Sequence, residues 1–440
     1  MKTTYLYIAL TLALSFTLVN PAEAQSNNAE LNVSAGVEYS DNLSRSSGSV
    51  TDGEQEETAY IGGLDFKIDS RSSTYRLDAV GEIERRQYEN GLFDDETVGR
   101  LVGNLDWILA EERFFWNLSA NHGQQIVNPF QPATPQNRED VTIVSTGPTL
   151  NLPIDERTFL IANVSQSEAR YEERPLDNTR LQGSLSLERQ IAPTRTMSLN
   201  VGGSQIDYDD DQLLPEIDQL NASVGFAVET ARNEWSVDLG WNYFERGGQD
   251  GDGLLLDLAF RHAVTESSSL RLGAGSKYST NGDIFRLNQQ LESSTPDNRL
   301  FNTDALDIQG FGDVFRNDYI SVGYIQSFGR TDINLSGSWQ AEEYQTTTGL
   351  DRDAVVARVS LRRELSKTMR ISAFASLSRR DYESRDRVDD DSTFGLSFKM
   401  KLGRNFSLTL GARQFRRDSD SAEFDYDETR ADLTLSYAVL

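Results

Sequence analysis

The sequence predicts an all-β protein, a transmembrane antiparallel up-and-down β-barrel of about 20 strands (18–20), with short periplasmic turns and long acidic extracellular loops. Three observations predict this fold. The chain begins with an export signal, segments of alternating apolar and polar residues fill it from Ala29 onward, and short and long connections alternate between those segments. We take these three observations in turn.

The first residues have the three parts of a secretory signal peptide. Lys2 supplies positive charge, Tyr5 to Val19 carries no charge, and the segment 21–24 ends in an Ala-x-Ala cleavage pattern. A membrane anchor is disfavoured, because the apolar run is short and no basic stop-transfer patch follows. We therefore expect cleavage after Ala24, which leaves residues 25–440 as a single outer-membrane β-barrel domain of a Gram-negative cell.

Alternation with a period of two residues is clear near the C-terminus. Phe406, Leu408 and Leu410 fall on one face of a strand, whereas Thr409 and Arg413 fall on the other. A charged residue on the second face would lack partners in the core of a β-sandwich. A water-filled lumen accommodates it, so the pattern favours a barrel with an apolar outer wall.

The connections between the segments alternate in length. The short ones are 70–72, 110–112, 153–157, 192–195, 231–233, 329–331, 366–368 and 403–405. The long, acidic ones are 44–56, 128–140, 207–218, 245–253, 286–316, 346–353, 383–391 and 418–428. Short turns on one rim and long loops on the other are typical of outer-membrane barrels. An even strand number then places both termini on the short-turn side.

Composition excludes several classes of function. The chain has no cysteine, so neither disulfides nor thiolate chemistry contributes. Its formal net charge is −27, so no basic surface is available to bind nucleic acid.

Catalytic and metal-binding residues are scarce. The two histidines, His122 and His262, fall on the outward face by alternation, and an enzyme of the outer leaflet would need a serine beside one of them. The acidic runs 209–211, 389–391 and 425–427 lack the spacing of a calcium loop, and we expect them to be solvated loop tips. We expect no enzyme, no cofactor and no fixed metal site, although loose bridging of divalent cations to lipopolysaccharide is an alternative for these runs.

Arginine and an aromatic residue recur where alternation gives way to an acidic loop. The segments are 85–89, 169–173, 379–383 and 415–418. One interpretation is an interface girdle, with arginines paired to nearby carboxylates. The other is a ring of arginines that contacts lipopolysaccharide phosphates outside or an anionic solute inside.

Alternation also assigns many charged residues to the lumen. The predicted pore-lining residues are Arg76, Arg86, Arg100, Arg180, Arg261, Arg271, Arg358, Arg362, Arg380, Arg413, Arg417, Asp78, Asp106, Asp238 and Asp257, together with Glu82 and Asp332. Such a lining can cancel itself through cross-strand pairs. Alternatively, it forms a polar conduit whose guanidinium groups suit carboxylated sugars.

The long segment 286–316 differs from the other loops. It contains Phe301, Leu306, Ile308, Phe311, Val314 and Phe315. Because this segment is too apolar for a freely solvated loop, we expect that it folds into the lumen as a constriction.

The first strand carries a short motif. Its residues 36–43 are Gly-Val-Glu-Tyr-Ser-Asp-Asn-Leu, which include a Tyr-x-Asp-Asn step at Tyr39, Asp41 and Asn42. With the hairpins that follow, this motif resembles the β-barrel porin type 2 family, outer-membrane proteins associated with exopolysaccharide export systems. The resemblance makes these three residues signature positions and implies passage of polysaccharide or oligosaccharide. It also implies lipopolysaccharide, the barrel assembly machinery and periplasmic export components as partners, although the chain ends on Leu440 rather than on an aromatic residue.

Three classes of function follow. The leading hypothesis is a porin-like channel for polysaccharide or oligosaccharide export, and the alternative is a non-conducting scaffold barrel of an envelope complex. An outer-leaflet lipid-modifying enzyme is third. We expect no plug domain of the TonB-dependent receptor type, because strands begin within a few residues of Gln25.

Overall fold

The protein folds into one closed sheet. The structure, a computed structural model, describes residues 24–47, 55–210, 214–293, 312–347 and 349–440. In these residues each of twenty strands pairs antiparallel with its neighbours along the chain, and the first strand pairs with the last. The predicted antiparallel barrel of about 20 strands is confirmed.

The elements follow one another almost without interruption. The strands are β1 (Ala24–Ser40), β2 (Glu57–Ser72), β3 (Tyr75–Tyr88), β4 (Glu96–Ala110), β5 (Phe114–Ile126), β6 (Arg138–Asp155), β7 (Thr158–Tyr171), β8 (Asn178–Ala192), β9 (Arg195–Tyr208), β10 (Ile217–Glu229), β11 (Asn233–Arg246), β12 (Gln249–Thr265), β13 (Ser268–Thr280), β14 (Val314–Phe328), β15 (Thr331–Tyr344), β16 (Arg352–Glu364), β17 (Met369–Tyr382), β18 (Arg387–Lys401), β19 (Phe406–Ser419) and β20 (Tyr426–Ala438). One α-helix, α1 (Asn281–Ser293), follows β13, and short 3-10 turns occur at Pro135–Asn137, Glu383–Arg385 and Ala422–Phe424. No helix in the described part of the chain is long and apolar enough to cross a membrane.

Alternation separates two faces of the sheet. Large apolar side chains such as Leu396, Leu410 and Leu433 lie exposed on the outer face, where a bilayer would cover them. The residues between them, such as Ser397 and Arg413, point inward and are buried. A barrel wall needs only every second residue to be apolar, so a chain with 38% hydrophobic residues can still line a membrane.

The two ends of the barrel differ, as predicted. Nine connections of two to four residues join strands at one end, called the short-turn end here, and both termini of the sheet lie there. The other ten connections lie at the opposite end, the loop end.

Two predicted long loops are shorter than expected. The predicted loop 245–253 is only the turn Gly247-Gly248, because the ladder of β11 and β12 continues to the pair Arg246 and Gln249. Both glycines have positive φ, 55° and 80°, which a tight hairpin turn of this kind requires. The predicted loop 383–391 is limited to residues 383–386, since β18 begins at Arg387. Acidic composition alone therefore overestimated these loops.

The seam between the first and last strands closes the barrel. β1 pairs with β20 from Asn32 opposite Ala438 to Ser40 opposite Arg430. The predicted signal peptide, residues 1–24, lies outside the described residues except for Ala24, where β1 begins.

Asp41 and Asn42 extend the seam beyond the sheet. The Asp41 amide donates to the Thr429 carbonyl at 3.2 Å, and the Thr429 amide donates to Asp41 Oδ1 at 2.6 Å. Buried Asn42 donates from Nδ2 to the carbonyls of Ser46 and Asp427, at 3.0 and 2.9 Å. Its Oδ1 accepts from the Ser46 amide at 3.1 Å. Two of the three signature residues, Asp41 and Asn42, therefore attach the first loop to the last strand.

We predict that Asn42→Ala weakens this seam. Loss of these hydrogen bonds leaves two partly buried carbonyls without their amide donor, which costs about 1–2 kcal/mol of unfolding free energy. Urea unfolding of the micelle-folded protein, followed by heat-modifiable mobility on gels, measures the change. Asn90→Ala is the matched control, because the Asn90 side chain donates to an exposed carbonyl of Glu56. Equal stability of the two variants would contradict a seam function for Asn42.

Candidate functional site

The predicted pore-lining residues share one face of the sheet. In each strand they alternate with the exposed apolar side chains of the outer face, so all of them point inward. Cross-strand register agrees, since Asp238 faces Asp257, Arg261 faces Arg271 and Asp332 faces Arg362. Their part in conduction stays a prediction.

Exposure of these inward residues changes along the barrel. Near the short-turn end, the side chains of Asp78 and Arg261 are 57% and 55% exposed. Near the loop end, Arg86, Arg413 and Arg417 are each less than 10% exposed. The short-turn half is therefore open to solvent, and we call it the vestibule, whereas the loop half is densely packed.

A buried ionic network lines the wall on both sides of the seam. Arg86 on β3 and Arg413 on β19 both approach Glu38 on β1, at 3.6 and 3.0 Å. Arg413 also lies 3.3 Å from Asp432 on β20. Two cations thus face two carboxylates across four strands, which is the self-cancelling arrangement that alternation allowed.

A second network joins β17, β18 and β19. Arg417 lies 2.7 Å from Asp391 and 3.5 Å from Asp389, while Arg380 also pairs with Asp391 and Arg387 with Asp389. Asp389 is fully buried. The expectation that 389–391 is a solvated loop tip is wrong, because the run lies in β18 and three arginines hold the Asp389 and Asp391 carboxylates inside the barrel mouth.

Apolar side chains from opposite walls meet at the loop end, in a cluster called the apolar cap. Its members are Phe130, Val141, Ile143, Ala169, Ile284, Phe285, Phe315, Tyr344, Leu350 and Tyr382. They come from β6, β7, β14, β15 and β17, from α1 and from two loops. In a ring of twenty strands β6 and β7 lie opposite β16 and β17, so the cap spans the lumen.

The loop 127–137 reaches across the lumen to complete this cap. Tyr382 Oη donates to the Pro129 carbonyl at 3.3 Å, and the Phe130 and Tyr382 rings meet edge to face with centroids 5.4 Å apart. Arg387 donates to the Phe130 carbonyl at 2.8 Å, and Arg45 donates to the Ala133 carbonyl at 3.2 Å. Side chains from β17, from β18 and from the first loop thus hold this loop across part of the loop end.

Helix α1 supplies the centre of the cap, and the sequence predictions missed it. Phe285 is 1% exposed within the cluster. Of the predicted constriction 286–316, the first residues form the end of α1, and Val314 and Phe315 begin β14 and are buried. Phe301, Leu306, Ile308 and Phe311 lie outside the described residues. The sequence signal that could have indicated α1 is the apolar pair Ile284-Phe285, which follows the turn-forming pair Asn281-Gly282.

Asp283 fixes α1 to the wall. Its carboxylate accepts from Arg180 on β8 at 2.5 Å, from Arg286 at 3.0 Å and from the Thr280 hydroxyl at 2.8 Å. Burial acts to raise the pKa of Asp283, but the two guanidinium groups outweigh it and hold this pKa well below its usual range.

The repeated arginine doublets divide between the two faces. Arg85, Arg379 and Arg416 point outward, with side chains 52%, 62% and 54% exposed, and pair with Asp95, Asp390 and Asp418. The next residue in each case, Arg86, Arg380 or Arg417, points inward into the buried networks. One motif therefore provides both an outer rim of arginines and the ionic lining of the mouth.

The remaining predicted site residues have local partners. His122 Nδ1 lies 2.8 Å from the Thr142 hydroxyl, and His262 Nδ1 lies 2.7 Å from Asn233 Oδ1. Tyr39 lies exposed on the outer face. Among the described residues, no group of three or more His, Cys, Asp or Glu side chains is arranged to hold a metal ion.

A comparison with protein families agrees with this architecture. A family model described as "Putative beta-barrel porin 2" matches residues 331–438, which comprise β15 to β20. The chain is a porin-like outer-membrane β-barrel. The resemblance inferred from the first strand is confirmed by this match, which covers the C-terminal strands.

Three of the solved structures to which this barrel is similar are the following. The FrpB iron transporter of Neisseria meningitidis is 9% identical, with 94% of this chain and 83% of that chain covered and a TM-score of 0.49. The ferric enterobactin receptor of Pseudomonas aeruginosa is 10% identical, with 93% and 80% covered and a TM-score of 0.48. The copper transporter OprC is 11% identical, with 94% and 80% covered and a TM-score of 0.48. Comparison with curated proteins finds no match.

We predict that docking of α1 resists acid and depends on Asp283. Because the folded pKa lies below the unfolded value of about 3.9, the contribution of Asp283 to docking is complete above that pH. It is lost as the pH falls through the folded pKa. A spin label can be attached specifically at Leu287→Cys, because the chain has no other cysteine. This label should stay immobile from pH 7 to about pH 4.

Asp283→Asn should mobilise the same label at neutral pH, because the amide cannot hold both guanidinium groups. The control is Asp318→Asn, which removes an exposed partner of Arg316 on the outer face. An immobile label in Asp283→Asn would show that these ion pairs do not hold the helix.

Proposed function

We propose that this porin-like barrel is an outer-membrane channel for polysaccharide or oligosaccharide that rests closed at its loop end. The observation that carries the proposal is the contrast between a solvated vestibule with charged walls and a cap made of connecting segments. Barrels of 16–18 strands enclose an aqueous channel, so twenty strands leave ample room for one. Connecting segments can move without unfolding the barrel wall.

The sugar substrate is supported by the lining and by the family resemblance. Inward positions carry many hydroxyl and amide groups, such as Ser145, Ser186 and Asn200, beside arginine. These groups exchange hydrogen bonds with a hydroxyl-rich polymer as water does, so the polymer can pass without tight binding. The match of residues 331–438 to a porin family supports transport more generally.

The polarity of the barrel supports export. We expect the short-turn end to face the periplasm, as in other outer-membrane barrels. A polymer delivered there would enter the open vestibule and reach the apolar cap from its periplasmic side. Contact with a periplasmic export component at the short turns, and with lipopolysaccharide at the outward arginines, belongs to the same proposal.

A non-conducting scaffold is the second candidate, and the cap itself favours it. Buried ion pairs such as Arg246 with Asp313, 2.6 Å apart beside the cap, add to the interactions that hold the mouth closed. A barrel that never opens would serve to anchor a complex in the membrane. Conductance separates the two candidates.

We predict that weakening the cap opens the channel. The double variant Phe130→Ser, Tyr382→Ala removes two cap side chains that belong to opposite sides of the barrel and contact each other across the lumen. Loss of about 3 kcal/mol from the closed state shifts the closed-to-open ratio by about two orders of magnitude. Planar-bilayer recordings should show mostly closed wild-type barrels and long open events in the variant.

The matched control is Tyr60→Ala, Phe394→Ala, which removes two exposed aromatic side chains from the outer face. It should conduct like the wild type. Heat-modifiable mobility confirms that each variant is folded. A folded cap variant without conductance would reject the channel and favour the scaffold.

A further inference from the structure

Inward charge is distributed unevenly around the barrel. Five basic residues lie on the inner face of three adjacent strands, from the middle of the wall to its short-turn end, and we call them the basic wall. They are Arg358 and Arg362 on β16, Arg370 on β17, and Lys399 and Lys401 on β18. Only two acids share this part of the inner face, Asp332 on β15 and Glu364 on β16. The excess is notable in a chain whose net charge is −27.

The register places like charges side by side in the basic wall. Arg370 lies directly opposite Lys399 in the ladder of β17 and β18. Like charges directly opposite each other destabilise a sheet. Glu364 lies 3.4 Å from Arg370 and moderates this repulsion, although its own side chain is 53% exposed.

The basic wall is open to the lumen. Arg358 and Lys401 are exposed, and Arg362, Arg370 and Lys399 are half-buried. By contrast, the arginines near the loop end, such as Arg413 and Arg417, are buried with their carboxylates. The cations near the short turns are therefore within reach of a solute in the vestibule.

The inner face on the opposite side of the barrel is uncharged in its middle. On β5 to β10 the inward mid-strand residues are mostly Ser, Thr, Asn, Gln and Gly, among them Asn117, Ser145, Thr149, Asn163, Ser186 and Asn200. They bond to one another, as Ser145 does to Ser167 at 2.7 Å and Asn163 to Thr149 at 2.8 Å. Arg180 at the loop end and Glu188 and Glu229 near the short turns flank this polar wall.

We propose that the basic wall is a binding track for an anionic glycan, a polymer that carries carboxylates along its chain. The inference rests on the proposed channel function and names the class of its substrate. Guanidinium and ammonium groups on three adjacent strands attract carboxylates as the polymer enters from the short-turn end. Because the opposite wall has no charge in its middle, the polymer is held from one side only and can still leave.

Equilibrium titration of the folded mature protein in neutral detergent tests this inference. The probes are oligogalacturonate and a maltooligosaccharide of equal length, which differ in the carboxylates. The wild type should bind the acidic probe, more weakly as salt is raised, and the neutral probe at least about tenfold more weakly. Arg358→Glu, Arg370→Glu, Lys399→Glu should reduce affinity for the acidic probe by at least about tenfold.

The matched control reverses three other inward arginines at similar depth, Arg76→Glu, Arg261→Glu, Arg271→Glu. These residues lie near acids such as Asp78 and Glu234, and their reversal should leave affinity within about twofold. If the triple reversal in the basic wall does not fold, the corresponding glutamine variant replaces it.

Equal binding of both probes, or an equal loss in the control, would overturn the basic wall as a binding track. Binding does not require an open cap. If the acidic probe does not bind to the basic wall but the cap variant conducts, only this inference is rejected. If the acidic probe binds but the cap variant does not conduct, only the channel function is rejected.

Discussion

Closure of the sheet is the constraint on which the rest of the structure depends. In a bilayer every backbone N–H and C=O must find a partner within the protein, so a sheet that spans the membrane cannot keep an open edge. The pairing of β1 with β20 removes that edge, and Asp41 and Asn42 continue it into the first loop. The alternation of faces follows from closure, because each strand then has one side toward lipid and one toward the lumen.

Closure also creates a lumen that must be filled either by water or by packed side chains. In this barrel the short-turn half is open to solvent and the loop half is filled by side chains. Near the short turns the inward charges remain solvated, as the exposure of Asp78 and Arg261 shows. Near the loops, water is replaced by the apolar cap and by arginine–carboxylate networks in which Glu38 and Asp389 are buried. Buried charges require such partners, so the networks and the cap depend on each other.

Much of this architecture could be predicted from the sequence. Alternation repeats every two residues, so the inward set that includes Arg358 and Asp332 follows from local pattern once a barrel is assumed. The strand number and the short turns follow from the same pattern. The signature residues could be recognised but not explained, because Asn42 contacts Asp427, which is 385 residues away in the chain.

The cap across the mouth could not be predicted for a related reason. The contact between Tyr382 and Pro129 joins segments 253 residues apart in the chain, and the sequence pattern of neither segment indicates it. Asp389 and Asp391 appeared to belong to a loop because acids usually do, whereas their arginine partners on β17 and β19 draw them into the wall. The turn at Gly247 shows the same limit, since only the ladder reveals how far the strands continue.

Double electron–electron resonance across the mouth tests the closed cap most directly. The chain has no cysteine, so spin labels can be placed at Gln131→Cys and Ser384→Cys, exposed neighbours of the contact between Phe130 and Tyr382. A ring of twenty strands spaced about 4.8 Å apart and tilted about 40° is roughly 40 Å wide. A closed cap predicts a narrow distribution centred below about 20 Å, label linkers included. A broad distribution centred near 30–40 Å, roughly the width of the barrel, would contradict the cap.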